Sequence, residues 1–161
     1  MHILLTRQLQ DSKDLIQKFK SYGFKVSNLP LLEINKLDKN EIKICNHNSI
    51  IFTSSNAIRF LDLKNINKNV PCFCVGSHTE KTARSTGFQN VFAADGNVRN
   101  LKELIQQNLS AKDSKILYIS GDVVSYPLDK ELIAEGYNVD RLINYTVKHN
   151  ENLDLSFLKS L

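Results

Sequence analysis

Apolar runs of strand length alternate with segments of helical periodicity along almost the whole chain. Strict alternation of this kind predicts a parallel sheet with helices packed on both of its faces. The sequence therefore predicts an α/β fold. Five strands are predicted in the larger part of the chain, at residues 49–53, 70–75, 90–93, 115–119 and 137–147.

Helices are predicted between these strands and before the first of them. Asp11 and Ser12 are the expected cap of the first helix, and Gly23 is expected to end it, because a left-handed residue at a helix C-terminus favours glycine. The other predicted helices span 54–64, 77–86, 98–109 and 128–135, with a weaker one at 38–45.

The domain organisation follows from what precedes the five strands. Runs at 3–6 and 24–26 predict two strands with one helix between them, and so few elements cannot enclose a core. We therefore expect a flavodoxin-like parallel-sheet domain, residues 35–147, inserted into a second, incomplete α/β domain formed by residues 1–34 and 148–161.

Composition and charge exclude several function classes. The 161-residue chain has a net charge of +4, and its 21 basic residues are scattered, which argues against a nucleic-acid-binding surface. No apolar run approaches the roughly 20 residues of a membrane helix, and the N-terminus does not resemble a signal peptide. Three cysteines, an odd number, fit a reducing cytoplasm. We expect a cytoplasmic protein with neither nucleic-acid nor membrane partners.

Common cofactor and metal motifs are missing from the sequence. It contains no GxxxxGK[ST], GxGxxG or G-x-S-x-G segment. Cys45 and His47 are two positions apart, as are Cys72 and Cys74, but the second pair falls on an apolar strand where cysteine usually packs in the core. We expect no metal ion and no cofactor.

The residues that follow the predicted strands are nearly all small, hydroxylated or glycine. Open parallel sheets bind ligands outside the carboxyl ends of their strands, and a helix starting there offers free N–H groups to an anion. The alternative is that these residues only cap helices, but several such loops at one edge favour an anionic small molecule. They are Arg7; Thr53, Ser54, Ser55 and Asn56; Gly76, Ser77, His78 and Thr79; residues 94–97; and Gly121.

Tyr145 lies near the end of the last predicted strand. A phenol there either hydrogen-bonds a ligand in a cleft between the domains or packs on the linker, and its position alone leaves both open. Tyr118 follows the core periodicity and Tyr126 flanks a helix, so both are expected to be structural.

Five segments together resemble the uroporphyrinogen-III synthase family of tetrapyrrole biosynthesis. In chain order they are ILLTR, GFKVSNLPLLEI, IFTSSNAIRFL, the CVGSHTEKTAR–G pattern and ELIAEGYNVDRLINYTV. The resemblance implies two flavodoxin-like domains, the second inserted into the first, joined by a two-stranded linker at 30–35 and about 141–148. It also implies a monomer without a cofactor, with self-association through the incomplete domain left open.

The resemblance further implies a lyase that cyclises hydroxymethylbilane, a linear tetrapyrrole with eight carboxylates, to uroporphyrinogen III. Water is lost and the last pyrrole ring is inverted. The family's linker tyrosine, which assists the departure of hydroxide, matches Tyr145, and the threonine of its VGxxT loop matches Thr79. The positions that match loops facing the cleft are Ser54, Ser55, Asn56, Gly76, Ser77 and Gly121.

Two departures from the family pattern leave an alternative open. An arginine expected soon after Gly121 is not evident, since residues 123–126 read VVSY. The family also continues beyond the position of Leu161. The alternative is a non-catalytic flavodoxin-like domain that keeps the loops and binds an anionic ligand without the reaction.

Overall fold

The fold is seen in a computed structural model that describes residues 1–37, 46–64, 66–151 and 153. The helix predicted at 38–45, with Cys45, lies outside these residues. No described helix has the length and apolar character needed to cross a membrane. The elements are β1 His2–Leu5, α1 Leu9–Ser21, β2 Lys25–Asn28, β3 Leu32–Lys36, β4 Ser49–Phe52, α2 Ser55–Arg59, β5 Cys72–Val75, α3 Gly76–Ser85, β6 Val91–Ala94, α4 Val98–Asn108, β7 Lys115–Gly121, α5 Leu128–Ala134 and β8 Asn138–His149.

The parallel α/β class predicted from the alternation is confirmed. β1 and β2 form a parallel pair, and the remaining strands form a six-stranded sheet in the order β3-β8-β7-β4-β5-β6. The four pairings β6–β5, β5–β4, β4–β7 and β7–β8 are all parallel. The chain divides into two compact units, Met1–Asn35 with Val147–Leu161, and Lys36–Thr146. β3 and β8 continue across the boundary between them.

The strand order in the larger unit identifies where a ligand can bind. Counted from β4, its strands lie in the order 3-2-1-4-5, as in dinucleotide-binding sheets, whereas the flavodoxin order is 2-1-3-4-5. The chain runs from β4 outward to β6 and then returns to β7 on the other side of β4. Such a reversal opens a crevice at the carboxyl ends of β4 and β7.

The core of the larger unit explains why its strands are continuous apolar runs. Every residue of β4 and all but the first residue of β7 are buried, as expected for strands covered on both faces. Leu101 and Ile105 of α4 are fully buried against this sheet. Burial of one such side chain contributes about 1.5–3 kcal/mol, so α4 holds the sheet edge firmly beside the crevice.

Two predicted helix boundaries are wrong. Asp11 and Ser12 do not cap α1; its N-cap is Gln8, and the Ser12 hydroxyl instead donates from inside the first turn to the Arg7 carbonyl at 3.4 Å. α2 ends at Arg59 rather than near residue 64. There the Asp62 carboxylate accepts from the Lys64 N–H at 3.1 Å, a local bond that competes with helix.

The smaller unit, taken by itself, buries little apolar surface. Its described helix packs on a pair of strands, a combination too small to enclose a core. Gly23, with φ of 80°, ends α1 as predicted. Large apolar side chains left exposed among its described residues are Met1, Leu4, Leu9, Leu15, Tyr22, Leu31 and Leu32.

Candidate functional site

A cavity of about 190 Å³ lies at the carboxyl ends of β4 and β7. It is the crevice that the strand order creates, and three phenols and three aliphatic hydroxyls face it. Of the residues singled out in the sequence as ligand contacts, Thr53, Ser54 and Tyr145 meet here. The full lining is Thr53, Ser54, Val98, Tyr118, Val123, Val124, Ser125, Tyr126 and Tyr145.

Thr53 and Tyr118 join the two central strands at the floor of this cavity. Their hydroxyl oxygens are 3.3 Å apart. Burial raises the pKa of the Tyr118 phenol, and the hydrogen bond to Thr53 partly opposes that rise. The guanidinium carbon of Arg141 lies 5.8 Å from the centre of the Tyr118 ring. Tyr118 is therefore neutral at physiological pH and available as a hydrogen-bond donor or acceptor.

Tyr118 is both a core residue and a site residue, whereas the sequence predicted only the first role. Its side chain is 1% exposed, in agreement with the core periodicity. The cavity role follows from the register of β4 on β7, in which Phe52 pairs with Ile119, so that Thr53 follows immediately at the sheet edge. Only the pairing of strands distant in sequence could have revealed it.

Tyr145 lines the cavity from β8. It is 8% exposed, and its ring centre lies 6.3 Å from that of Phe60. The pairing of β7 with β8 shifts register here: Ser120 pairs with Ile143, but Gly121 pairs with Tyr145. A β-bulge of this kind re-aims a side chain and is frequent next to functional sites.

The loop after β4 combines the two roles considered for it. The Ser54 hydroxyl caps α2 by accepting from the Asn56 N–H at 3.3 Å, and Ser54 also lines the cavity. The Asn56 side-chain oxygen accepts from Arg59 at 3.0 Å, and Ser55 is buried in the first turn. Helix capping thus explains the hydrogen bond of the Ser54 hydroxyl. Contact between Ser54 and a ligand stays a prediction.

The loop after β5 lies beside α2. Gly76 has φ of 75°, a left-handed conformation that favours glycine, and it is followed by the exposed Ser77. His78 Nε2 lies 3.3 Å from an Arg59 nitrogen, which joins the end of α2 to the first turn of α3. Thr79 is 5% exposed in the first turn of α3 and is not part of the cavity that contains Tyr145.

A second cavity of about 480 Å³ adjoins the first at the start of α4. The Asn97 side chain caps α4 by accepting from the N–H groups of Arg99 and Asn100 at 2.8 and 3.2 Å. The guanidinium carbon of Arg99, a residue that the sequence did not indicate as a ligand contact, lies 5.9 Å from the centre of the Tyr126 ring. The lining comprises Val75, Gly96, Asn97, Val98, Arg99, Ser125 and Tyr126.

Tyr126 is common to both cavities, and α4 and α5 hold it in place. Its hydroxyl donates to the Glu131 carboxylate, which also binds Lys102 Nζ at 2.8 Å. This hydrogen bond raises the pKa of Tyr126, and the bond from Lys102 lowers the pKa of Glu131. The expectation of a purely structural Tyr126 therefore misses its position on the cavity wall.

Arg7 lies in the smaller unit, after β1. Its side chain is exposed, and its carbonyl accepts from the Asn28 side chain at 2.9 Å. A contact between Arg7 and a ligand stays a prediction.

The cysteines of β5 pack in the core, as the apolar strand predicts. Cys72 and Cys74 are buried, with Sγ atoms 3.9 Å apart. The contact with Cys74 and burial raise the pKa of the Cys72 thiol. Within the described ranges, no cluster of three or more His, Cys, Asp or Glu residues is arranged to hold a metal ion.

The strand order defines the larger unit as a doubly wound α/β domain, and its hydroxyl-rich cavity lies at the ends of the central strands, where such folds bind ligands. A family model described as Uroporphyrinogen-III synthase HemD matches residues 13–160. The chain belongs to the uroporphyrinogen-III synthase family, which confirms the resemblance seen in the sequence.

Solved structures of this family share the fold. Uroporphyrinogen-III synthetase from Helicobacter pylori is 21% identical, with a TM-score of 0.63 over 99% of this chain and 67% of that one. A mutant uroporphyrinogen III synthase from the extremely thermophilic bacterium Thermus thermophilus is 14% identical, with a TM-score of 0.62 over 93% and 64%. This chain therefore spans about two thirds of their length. Among curated proteins, none gives a significant match.

Proposed function

We propose that this chain acts on hydroxymethylbilane as a uroporphyrinogen-III synthase, closing the ring with loss of water and inversion of the last pyrrole. One observation carries the proposal: in a chain of this family, the Tyr145 phenol lines the cavity between the carboxyl ends of β4 and β7. The reaction needs no cofactor, because its chemistry is the folding of a flexible chain and the departure of one hydroxyl group.

The two adjoining cavities suit a polycarboxylate. A volume of about 190 Å³ is below the 300–1,000 Å³ typical of whole-ligand pockets, so the smaller cavity holds one part of a tetrapyrrole, such as a single ring. Thr53 and Ser54 line this cavity, and their hydroxyls are proposed to bind carboxylates. Arg99 and the start of α4 offer positive charge to carboxylates in the larger cavity.

Tyr145 is proposed to assist the departure of the hydroxyl group. Its phenol gives its proton to the leaving oxygen as the carbon–oxygen bond breaks, so that water is released. The proton lost from the pyrrole carbon when the new carbon–carbon bond closes the ring restores the phenol. A donor fixed in a largely buried site stabilises this charge better than water does, because it needs no reorganisation during the reaction. Thr79, from the loop after β5, is the second proposed hydroxyl, and Ser55, Asn56, Gly76, Ser77, His78 and Arg7 are proposed substrate contacts.

The proposal extends to the domain organisation, the cellular compartment and the oligomeric state of the protein. The chain leaves the smaller unit after Asn35 and returns to it at Val147. This path supports a domain inserted into an incomplete one, with β3 and β8 as the linker. The free thiols of Cys72 and Cys74 support a reducing, cytoplasmic setting, and we propose a monomer.

The test is incubation with freshly prepared hydroxymethylbilane and chromatographic separation of the type I and type III isomers. We expect type III product to form, and Tyr145→Phe to slow it about 100-fold or more, within the range for a positioned proton donor. Tyr137→Phe is the matched control, because that phenol does not line the cavity. It donates to the Leu109 carbonyl at 3.1 Å. Thr79→Val tests the second candidate separately: a comparable loss of rate would show that the Thr79 hydroxyl also assists the reaction. Type I product alone, or equal rates after Tyr145→Phe, would contradict the proposal.

A further inference from the structure

Gly121 and Tyr145 are in close contact across β7 and β8. A Cβ atom added to Gly121 would lie 2.7 Å from Cε2 and 2.8 Å from Cζ of the Tyr145 ring. Such separations are too short for any real side chain, so the phenol ring occupies the space that a side chain at position 121 would need. Gly121 is not among the glycines with positive φ, so the backbone itself does not require glycine there.

The backbones of the two strands are tied together at this point. The Asp122 N–H donates to the Tyr145 carbonyl at 3.0 Å, and the Thr146 hydroxyl donates to the Asp122 carboxylate at 2.6 Å. Arg141 donates to the Gly121 carbonyl at 2.9 Å. These bonds resist separation of the strands, so a side chain at position 121 has to displace the ring of Tyr145.

We propose that Gly121 is a positioning residue. Because Gly121 has no side chain, the Tyr145 ring can lie against it, and this contact fixes the direction of the phenol. The register shift between Ser120 and Gly121 brings Gly121 and Tyr145 opposite each other, and the absence of a side chain at Gly121 lets the hydroxyl end of the ring lie against β7 at the cavity. The role of Gly121 is then exerted through Tyr145 rather than through a contact of its own with substrate. This inference rests on the proposed function of Tyr145.

The contact itself is tested by a double-variant cycle in thermal unfolding. Gly121→Ala should lower the unfolding midpoint of the full chain while the Tyr145 ring is present. In a Tyr145→Ala background it should cause no lowering, because the obstacle has been removed and alanine restricts the unfolded chain more than glycine does. An equal lowering in both backgrounds, or none in either, would overturn the inference whatever the ligand data show.

The functional consequence is tested by fluorescence titration with uroporphyrin. Gly121→Ala should weaken binding at least about ten-fold, because a displaced ring fills the cavity. The double variant Gly121→Ala with Tyr145→Ala should bind as Tyr145→Ala does. Val91→Ala, a buried change at the amino end of β6, is a control for lost stability and should leave the Kd within about two-fold.

The two possible failures are distinguishable. Wild-type affinity in Gly121→Ala would overturn the positioning role while the proposed function stands. If the wild-type chain itself failed to bind uroporphyrin, the proposed function would be contradicted, and the unfolding cycle would still decide whether Gly121 and Tyr145 are coupled.

Discussion

Tyr118 shows how one residue serves the core and the cavity together. Burial in the sheet raises the pKa of its phenol, while the hydroxyl reaches Thr53 at the cavity floor. A buried phenol stays protonated, because the low-dielectric interior penalises its charged form. The Tyr118 phenol therefore stays protonated beside Thr53, at the place where the proposed ligand lies.

The first pH prediction concerns this phenol. The unfolded chain ionises Tyr118 near pH 10, before the folded chain does, so stability is full below about pH 10 and falls as pH rises through the raised pKa. Tyr118→Phe should flatten that fall, and Thr53→Val should steepen it by removing the bond that lowers the pKa. The measurement is the free energy of unfolding in urea between about pH 8 and 11. The same pH dependence in all three proteins would count against the assignment.

At the scale of elements, the contact between α4 and α5 holds the wall shared by the two cavities. Lys102 binds Glu131 at 2.8 Å and Glu135 at 2.6 Å, and Tyr126 donates to Glu131. Lys102 is the main cause of the lowered pKa of both carboxyls. The pattern of charges along each helix predicts polar faces, but not that these side chains meet.

A second pH prediction follows from Lys102. Carboxyls with a lowered pKa contribute stability that is present above their ordinary pKa, near about 4.3, and is lost as pH falls through the lowered value. Lys102→Met should reduce the unfolding temperature by no more than a few degrees at about pH 7 and make the acid-induced loss shallower.

Lys130→Met, on the exposed face of α5, is the control for a lost surface charge. Added salt should narrow the difference between Lys102→Met and the wild type, since exposed pairs are screened. Identical acid profiles for Lys102→Met and Lys130→Met would show that the network does not act as described.

Most of the elements were predictable because their signals are local. The glycines after α1, α3 and α5 adopt left-handed conformations where the sequence placed helix ends, and the apolar runs became the strands of the larger unit. Strand order was not predictable, since it depends on which runs pair across long stretches of chain. The placement of Tyr118, Arg99 and Tyr126 at the cavities depends on that order, so the sequence alone did not predict that these residues line them.

At the scale of the whole molecule, the two compact units differ in how much each can bury. The larger unit contains the six-residue buried run of β7 and the fully buried face of α4. The smaller unit leaves Leu4, Leu9 and Leu15 exposed. Local stability follows the density of buried apolar contacts, so the larger unit should resist opening more strongly.

Limited proteolysis should therefore leave a fragment of about residues 36–146 while the smaller unit is cut. Mass spectrometry of the surviving fragment gives its ends. Leu132→Ala, in the buried face of α5, should make that fragment sensitive as well, since such core truncations cost about 2–5 kcal/mol. Equal resistance of residues 1–35 and of the 49–121 segment would contradict this division.

Amide hydrogen exchange with and without uroporphyrin tests the central claim most directly, that the ligand lies at the carboxyl ends of β4 and β7. Slower exchange is expected at residues 53–56, at 121–126 and around Tyr145 when uroporphyrin is bound. Exchange at 86–90 should not change, because these residues precede β6 and so lie at the amino ends of the strands, opposite to the cavity. Slower exchange at 86–90, with none at 53–56 and 121–126, would contradict the account.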